Sequence, residues 1–157
     1  MTSLLTWFLP LLLQSFPEEL ILVYTGLVLT GNGIARRRLI AIAAVTALLS
    51  DLLRLWLPFP SVTLVMAIMM IITLRFVGRF DGLEASAVIL LGFFALAIAE
   101  TISAPIITAF TGRPVAEMLQ NLWYRILLPW PHMLALFLAA EVCRRRNWYL
   151  RLFQLEE

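Results

Sequence analysis

Asn121–Arg146 reads NLWYRILLPWPHMLALFLAAEVCRRR. It sets the only histidine, His132, just after Pro129 and Pro131, follows it with an apolar run, and ends in Arg144, Arg145 and Arg146. An apolar run closed by arginines has the pattern of a membrane crossing, and arginines flanking a span favour the cytoplasmic side. The stretch therefore predicts a last crossing over residues 129–146, with the C-terminus inside. Residues 147–157 alternate apolar and polar side chains and are expected to form a short cytoplasmic tail able to dock on a partner.

The whole chain supports this reading. Of 157 residues, 62% are hydrophobic and 14% charged, too little polar surface to cover a soluble globule. The mean hydropathy of +0.92 is spread over several long runs, so a single multi-span domain is expected over residues 1–157. The net charge is only +2 and every basic residue is arginine, which points to topology signals and away from a nucleic-acid surface. One cysteine, Cys143, excludes an intramolecular disulfide, and no spacing resembles a metal site. No metal or other cofactor is expected. The opening MTSLLTWFLPLLL lacks a basic n-region and a small-residue cleavage site, so it is read as part of the mature fold.

Working back from the last span, residues 114–128 place Val115, Met118, Leu119, Leu122, Trp123, Ile126 and Leu127 at helical spacing. Glu117, Gln120, Asn121 and Arg125 lie mostly opposite. This predicts an amphipathic helix on the outer surface, bent into the last span at Pro129 and Pro131. Further spans are expected over residues 8–30, 38–57, 61–77 and 83–110. Within the first, Ser15 and Glu18 have capping-box spacing around Pro17, so a helix is expected to restart there. The preceding segment either continues it through a kink or lies at the interface. The third span, rich in methionine, holds no ionisable group in its core and is read as packing or lipid-facing.

The expected fold is thus an all-α integral membrane protein, a bundle of about five transmembrane helices in the cell membrane, N-terminus out and C-terminus in. Arg36, Arg37, Arg38, Arg75, Arg79, Arg144, Arg145 and Arg146 fall on the inner side; Arg54, Arg113 and Arg125 fall on the outer. Trp7, Trp56 and Trp123 mark the outer boundary, and Trp148 with Tyr149 the inner. Arg36–Arg38 and Arg144–Arg146 serve as cytoplasmic anchors that can also hold anionic lipid heads.

Under this topology Glu18, Glu19, Asp51, Arg54, Glu100, Arg125 and His132 all fall in the outer half. Ionisable groups cost roughly 2.5 to 3.5 kcal/mol each at mid-bilayer and usually face a bundle interior or cavity. Glu18, Asp51, Arg54, Glu100, Arg125 and His132 are therefore the expected ligand-binding or proton-sensing pocket, with Pro105, Pro129 and Pro131 as hinges. Each also has a plainer reading. Asp51 and Arg54 can satisfy one another at i, i+3, Glu18 can act as a cap, and His132 can hydrogen-bond a freed carbonyl or Glu100. Glu141, one turn from the arginines, is expected to be neutralised by them. No GxSxG, HExxH, P-loop or DxxD motif is present, so catalysis is not expected.

The order QSFPEE, GNGIARRR and WYRILLPWPHMLALFLA with a basic exit resembles the N-terminal membrane region of Gram-positive sporulation-type and GHKL-type sensor histidine kinases. The resemblance implies an input domain for a peptide, lipid or membrane state, with Glu18, Arg125, Pro131 and His132 at the matching positions. After Arg146 no kinase core follows in this sequence, so a non-catalytic sensory module is expected. It would sit in the lipid bilayer, bind a small molecule or peptide, and act through a membrane or cytoplasmic protein or a second copy of itself. Two rivals are a substrate-binding membrane subunit of an energy-coupling-factor-like transporter and a structural subunit of a larger membrane complex.

Overall fold

The computed structural model describes residues 8–58 and 61–149, and at Ala116 the backbone alone. Trp7, the Phe59–Pro60 half of the expected break, and residues 150–157 of the expected tail lie outside the described residues. Among the described residues the chain is helical and holds no strand. The elements are α1 (Phe8–Thr30), α2 (Arg36–Leu53), α3 (Ser61–Gly78), α4 (Gly82–Thr111), α5 (Val115–Met118), α6 (Leu122–Leu127) and α7 (Trp130–Arg145).

Four helical stretches, Phe8–Thr30, Ser61–Gly78, Gly82–Thr111 and Leu122–Arg145, are long and apolar enough to cross a membrane. The fold is therefore compatible with a multi-pass membrane protein. α2 has 18 residues but carries Arg36, Arg37, Arg38 and Asp51, which sets it apart from those four by charge and not by length. With 30 residues, α4 reaches about 45 Å at ~1.5 Å per residue. That exceeds a hydrocarbon core of roughly 30 Å.

α1 is the central post, packed against α2, α4 and α7, while α3 closes the circle between α2 and α4. The α1–α4 contact is the most extensive because glycines let the two backbones meet. A Cβ on Gly26 would overlap the carbonyl oxygen of Val88, and one on Gly92 would lie 2.6 Å from the carbonyl oxygen of Leu22. Small residues at such a crossing are the usual means of close helix association where hydrocarbon supplies no hydrophobic drive. Leu22, Val23, Leu27, Ile42, Val88 and Ile89 fill the core around it. Met66 and Met70 of α3 are buried in the same core, whereas Leu64, Ile68 and Ile72 face outward. One face of the third helix thus packs in the core, and the other is exposed. On α4, Leu90, Phe94, Ile98, Ile102, Ile106 and Phe110 form an exposed stripe at four-residue spacing, an apolar surface suited to lipid.

Three local expectations are corrected. The first span does not restart at Ser15: the helix runs on from Phe8 through a π-helical turn at Leu11–Ser15, Ser15 is itself helical, and it makes no capping bond. Its hydroxyl instead donates to Asp51 Oδ1 of α2 at 2.8 Å. Pro17 has no N–H to offer the carbonyl of Leu13 one turn earlier, and the indole Nε1–H of Trp130 donates to that oxygen at 3.1 Å. The capping box lies elsewhere, at Asp81 and Glu84, where it opens α4.

The amphipathic helix expected over residues 114–128 is two short helices. Asn121 adopts an extended backbone, and its side chain accepts from Trp123 N at 3.0 Å, which starts α6 afresh. Finally, α2 ends at Leu53 and Arg54–Trp56 form a turn, so the second helix is shorter than the expected residues 38–57.

At the opposite end of the bundle, Tyr24 ties α1 to α7. Its ring packs on Phe137 at a centroid distance of 5.8 Å and its hydroxyl donates to Glu141 Oε2 at 3.1 Å. Tyr24→Phe keeps the ring contact and removes one hydrogen bond, so it is expected to cost about 1 kcal/mol. Thermal unfolding in detergent measures this, and a wild-type midpoint would mean that the bond contributes nothing.

Candidate ligand-binding cavity

The middle of α1, the end of α2 and the turn after it, the start of α3, the middle of α4 and α6 line a cavity of about 770 Å³. That lies within the range of roughly 300 to 1,000 Å³ common for small-molecule sites. Its polar lining is Glu18, Glu19, Ser50, Arg54, Thr63, Glu100 and Arg125. Leu22, Met66, Phe93 and Leu96 are among the residues that supply its apolar wall.

Each polar group is there for a reason of helical register. Glu18 and Glu19 follow Pro17 in the turn of α1 that faces α2 and α4. Glu19 is only 8% exposed, and its Oε2 has no hydrogen-bond partner among the described residues. Ser50, fully buried, stands four residues before Arg54 and so shares its face. Arg54 Nη1 lies 3.8 Å from Asp51 Oδ1, a loose i, i+3 pair, with the arginine side chain 38% exposed. Arg125 of α6 lines the opposite wall and has no ion-pair partner among the described residues.

Of the six residues expected to form the pocket, Glu18, Arg54, Glu100 and Arg125 line this cavity. Asp51 stands behind it, turned toward Ser15 of α1. Its mutual satisfaction with Arg54 is thus partial, because the shorter bond goes to the serine. His132 lies on the far side of α4, buried, with Nε2 3.9 Å from Glu100 Oε1 and no hydrogen-bond partner for that nitrogen among the described residues. That distance is too long for a hydrogen bond. His132 instead lines a separate apolar groove of about 470 Å³ between α4 and α7, with Ile98, Ile102 and Leu136. Glu100 therefore stands between cavity and histidine.

The sequence reading placed Glu19 in the outer half without assigning it to the pocket, and did not single out Ser50 or Thr63. Ser50 had a signal, its i, i−4 relation to Arg54; Glu19 had only its adjacency to Glu18. The expected hinge positions are helical: Pro105 lies inside the continuous α4, Pro129 has helical dihedrals, and Pro131 lies in the first turn of α7.

At the opposite end Arg36, Arg144, Tyr24, Asn32 and Glu141 border a second cavity of about 810 Å³. Glu141 is held as expected by the arginine cluster. Arg144 donates to it at 2.8 and 3.0 Å and Arg145 at 2.9 Å. Arg37, Arg38 and Arg146 are exposed, and the Arg146 guanidinium lies 5.3 Å from the ring centre of Trp148. Among the described residues, no three His, Cys, Asp or Glu side chains come together as a metal site. The chain matches no protein-family profile, no curated protein and no solved structure.

Proposed function

We propose that this protein is a five-crossing module of the cell membrane, N-terminus outside and C-terminus inside, that receives a ligand in an outward-facing cavity without transforming it. α2 supplies the fifth crossing. It packs between α1 and α3, and its charges sit at its two ends, Arg36–Arg38 at one and Asp51 at the other, with an apolar stretch between. This topology puts Arg36, Arg75, Arg79 and Arg144 on one side, as cytoplasmic flanks should be. It leaves the cavity lined by Glu18, Glu19, Arg54, Glu100 and Arg125 on the other.

The observation that carries the reading is the pairing state of that cavity. Charged side chains inside a membrane bundle normally neutralise each other or serve a ligand or ion path. Here Glu19 is buried with an unsatisfied oxygen, and Arg125 faces the same space without an acid partner among the described residues. Occupancy would be reported inward along α1 and α7, which join the cavity end to the Tyr24–Glu141–Arg144 cluster. A sensory or regulatory role acting on a membrane or cytoplasmic partner, or within a homo-oligomer, follows from that connection.

Native mass spectrometry of protein gently extracted from its own membrane tests this. A stoichiometric small molecule or peptide that is lost in the Glu100→Ala variant is expected. If the co-purifying partner is an ATPase, the module is a transport subunit. Protein held only by other membrane subunits, with no ligand, would make the polar cavity a structural feature and end the sensory reading.

A further inference from the structure

We infer that the occupant of the cavity is an organic cation, an amine carrying an apolar body. This rests on the cavity being a ligand site and adds the chemistry of what it takes. Three carboxylates, Glu18, Glu19 and Glu100, line the space against two guanidiniums, Arg54 and Arg125. One of those guanidiniums already has an acid beside it, since Asp51 approaches Arg54 from behind the wall. Acidic side chains outnumber guanidiniums around the cavity, and although Arg125 is also unpaired among the described residues, the buried group left unsatisfied is an acceptor. Glu19 is the sharpest case: a side chain more than nine-tenths buried, bordering the cavity, with an oxygen that nothing among the described residues satisfies. An ammonium group offers up to three donors and a compensating charge to such an oxygen.

Other ligand chemistries fit less well. A bare metal ion needs several donors drawn tightly together, and the described acids and histidine do not converge in that way. An anion could meet Arg125, but it would then sit among three acidic side chains and leave the buried Glu19 oxygen unsatisfied. The apolar wall, with Leu22, Met66, Phe93 and Leu96, calls for a hydrocarbon or aromatic body attached to the charged group. A volume of about 770 Å³ leaves ample room for one.

The test is calorimetric titration of the full chain in detergent micelles, with empty micelles as the blank. Three probes of similar shape are compared: phenethylamine, 3-phenylpropanoate and 3-phenylpropan-1-ol. The amine is expected to bind saturably, at least tenfold tighter than either of the others. Glu19→Gln, which keeps the shape and removes the charge, is expected to weaken the amine at least tenfold and leave the alcohol unchanged. If that variant does not fold, Glu18→Gln and the wild-type order of the three probes decide the matter. Carboxylate or alcohol binding as tight as the amine would overturn the cation and leave the ligand site standing. No saturable binding of any probe would overturn both.

Discussion

Gly26→Ala is expected to lower the stability of the bundle by about 2 to 3 kcal/mol, the cost typical of forcing an extra carbon into a packed core. The added methyl would overlap the carbonyl oxygen of Val88 and come within 2.8 Å of its carbonyl carbon. Both are backbone atoms of a neighbouring helix, so no side-chain rotation relieves the clash, and α1 must move away from α4. Alanine is intrinsically favoured over glycine inside a helix by up to ~1 kcal/mol. The measured loss is therefore net of that gain. Gly92→Ala should behave similarly, its methyl lying 2.6 Å from the carbonyl oxygen of Leu22. Gly33, where an added methyl would have no neighbour within 4 Å, is the control and should tolerate alanine with little change. Thermal unfolding of the three variants in detergent measures this. Equal midpoints at Gly26 and Gly33 would mean that the α1–α4 crossing is not as close as described.

Trp130→Phe is expected to cost about 1 to 2 kcal/mol, in the range for leaving a carbonyl without its donor. Its indole N–H fills the place of the amide hydrogen that Pro17 lacks, and so pins α7 to the π-helical turn of α1. The two positions are thereby coupled. Pro17→Ala supplies a backbone N–H for the Leu13 carbonyl, and in that background Trp130→Phe should cost much less. A double-mutant cycle reads the coupling directly. Additive effects would show that proline and tryptophan act independently, and that the bond to Leu13 is incidental.

The helical class, with helices long and apolar enough to cross a membrane, was legible because it depends on bulk properties: long apolar runs, arginines at their ends, and proline or glycine between them. Gly31 and Gly112 end α1 and α4 in the left-handed conformation that glycine adopts without cost. What escaped was whatever depended on a partner distant in sequence. Ser15 looked like a cap because a serine three residues before a glutamate has that spacing; its actual partner, Asp51, lies 36 residues away. The break at Asn121 turned on one side chain capturing the amide of Trp123, a competition that the apolar periodicity of residues 114–128 concealed. The gathering of Glu18, Arg54, Glu100 and Arg125 around one cavity was foreseen from depth along the helices alone. Depth cannot tell which face of a helix a residue occupies, so His132 and Asp51 were grouped with residues that they stand behind. Glu19 was placed in the outer half but left out of the pocket, although it proves the most buried acid lining the cavity.

Cysteine accessibility in intact cells tests most directly whether this cavity opens to the outside. With Cys143 replaced by serine, one variant carries Thr63→Cys, an exposed position on the cavity wall, and another Asn147→Cys at the opposite end. A charged, membrane-impermeant thiol reagent added to intact cells is expected to label the Thr63 position at once, and the Asn147 position only after the membrane is broken. Labelling of the Asn147 position in intact cells, or protection of the Thr63 position, would contradict an outward-facing ligand cavity.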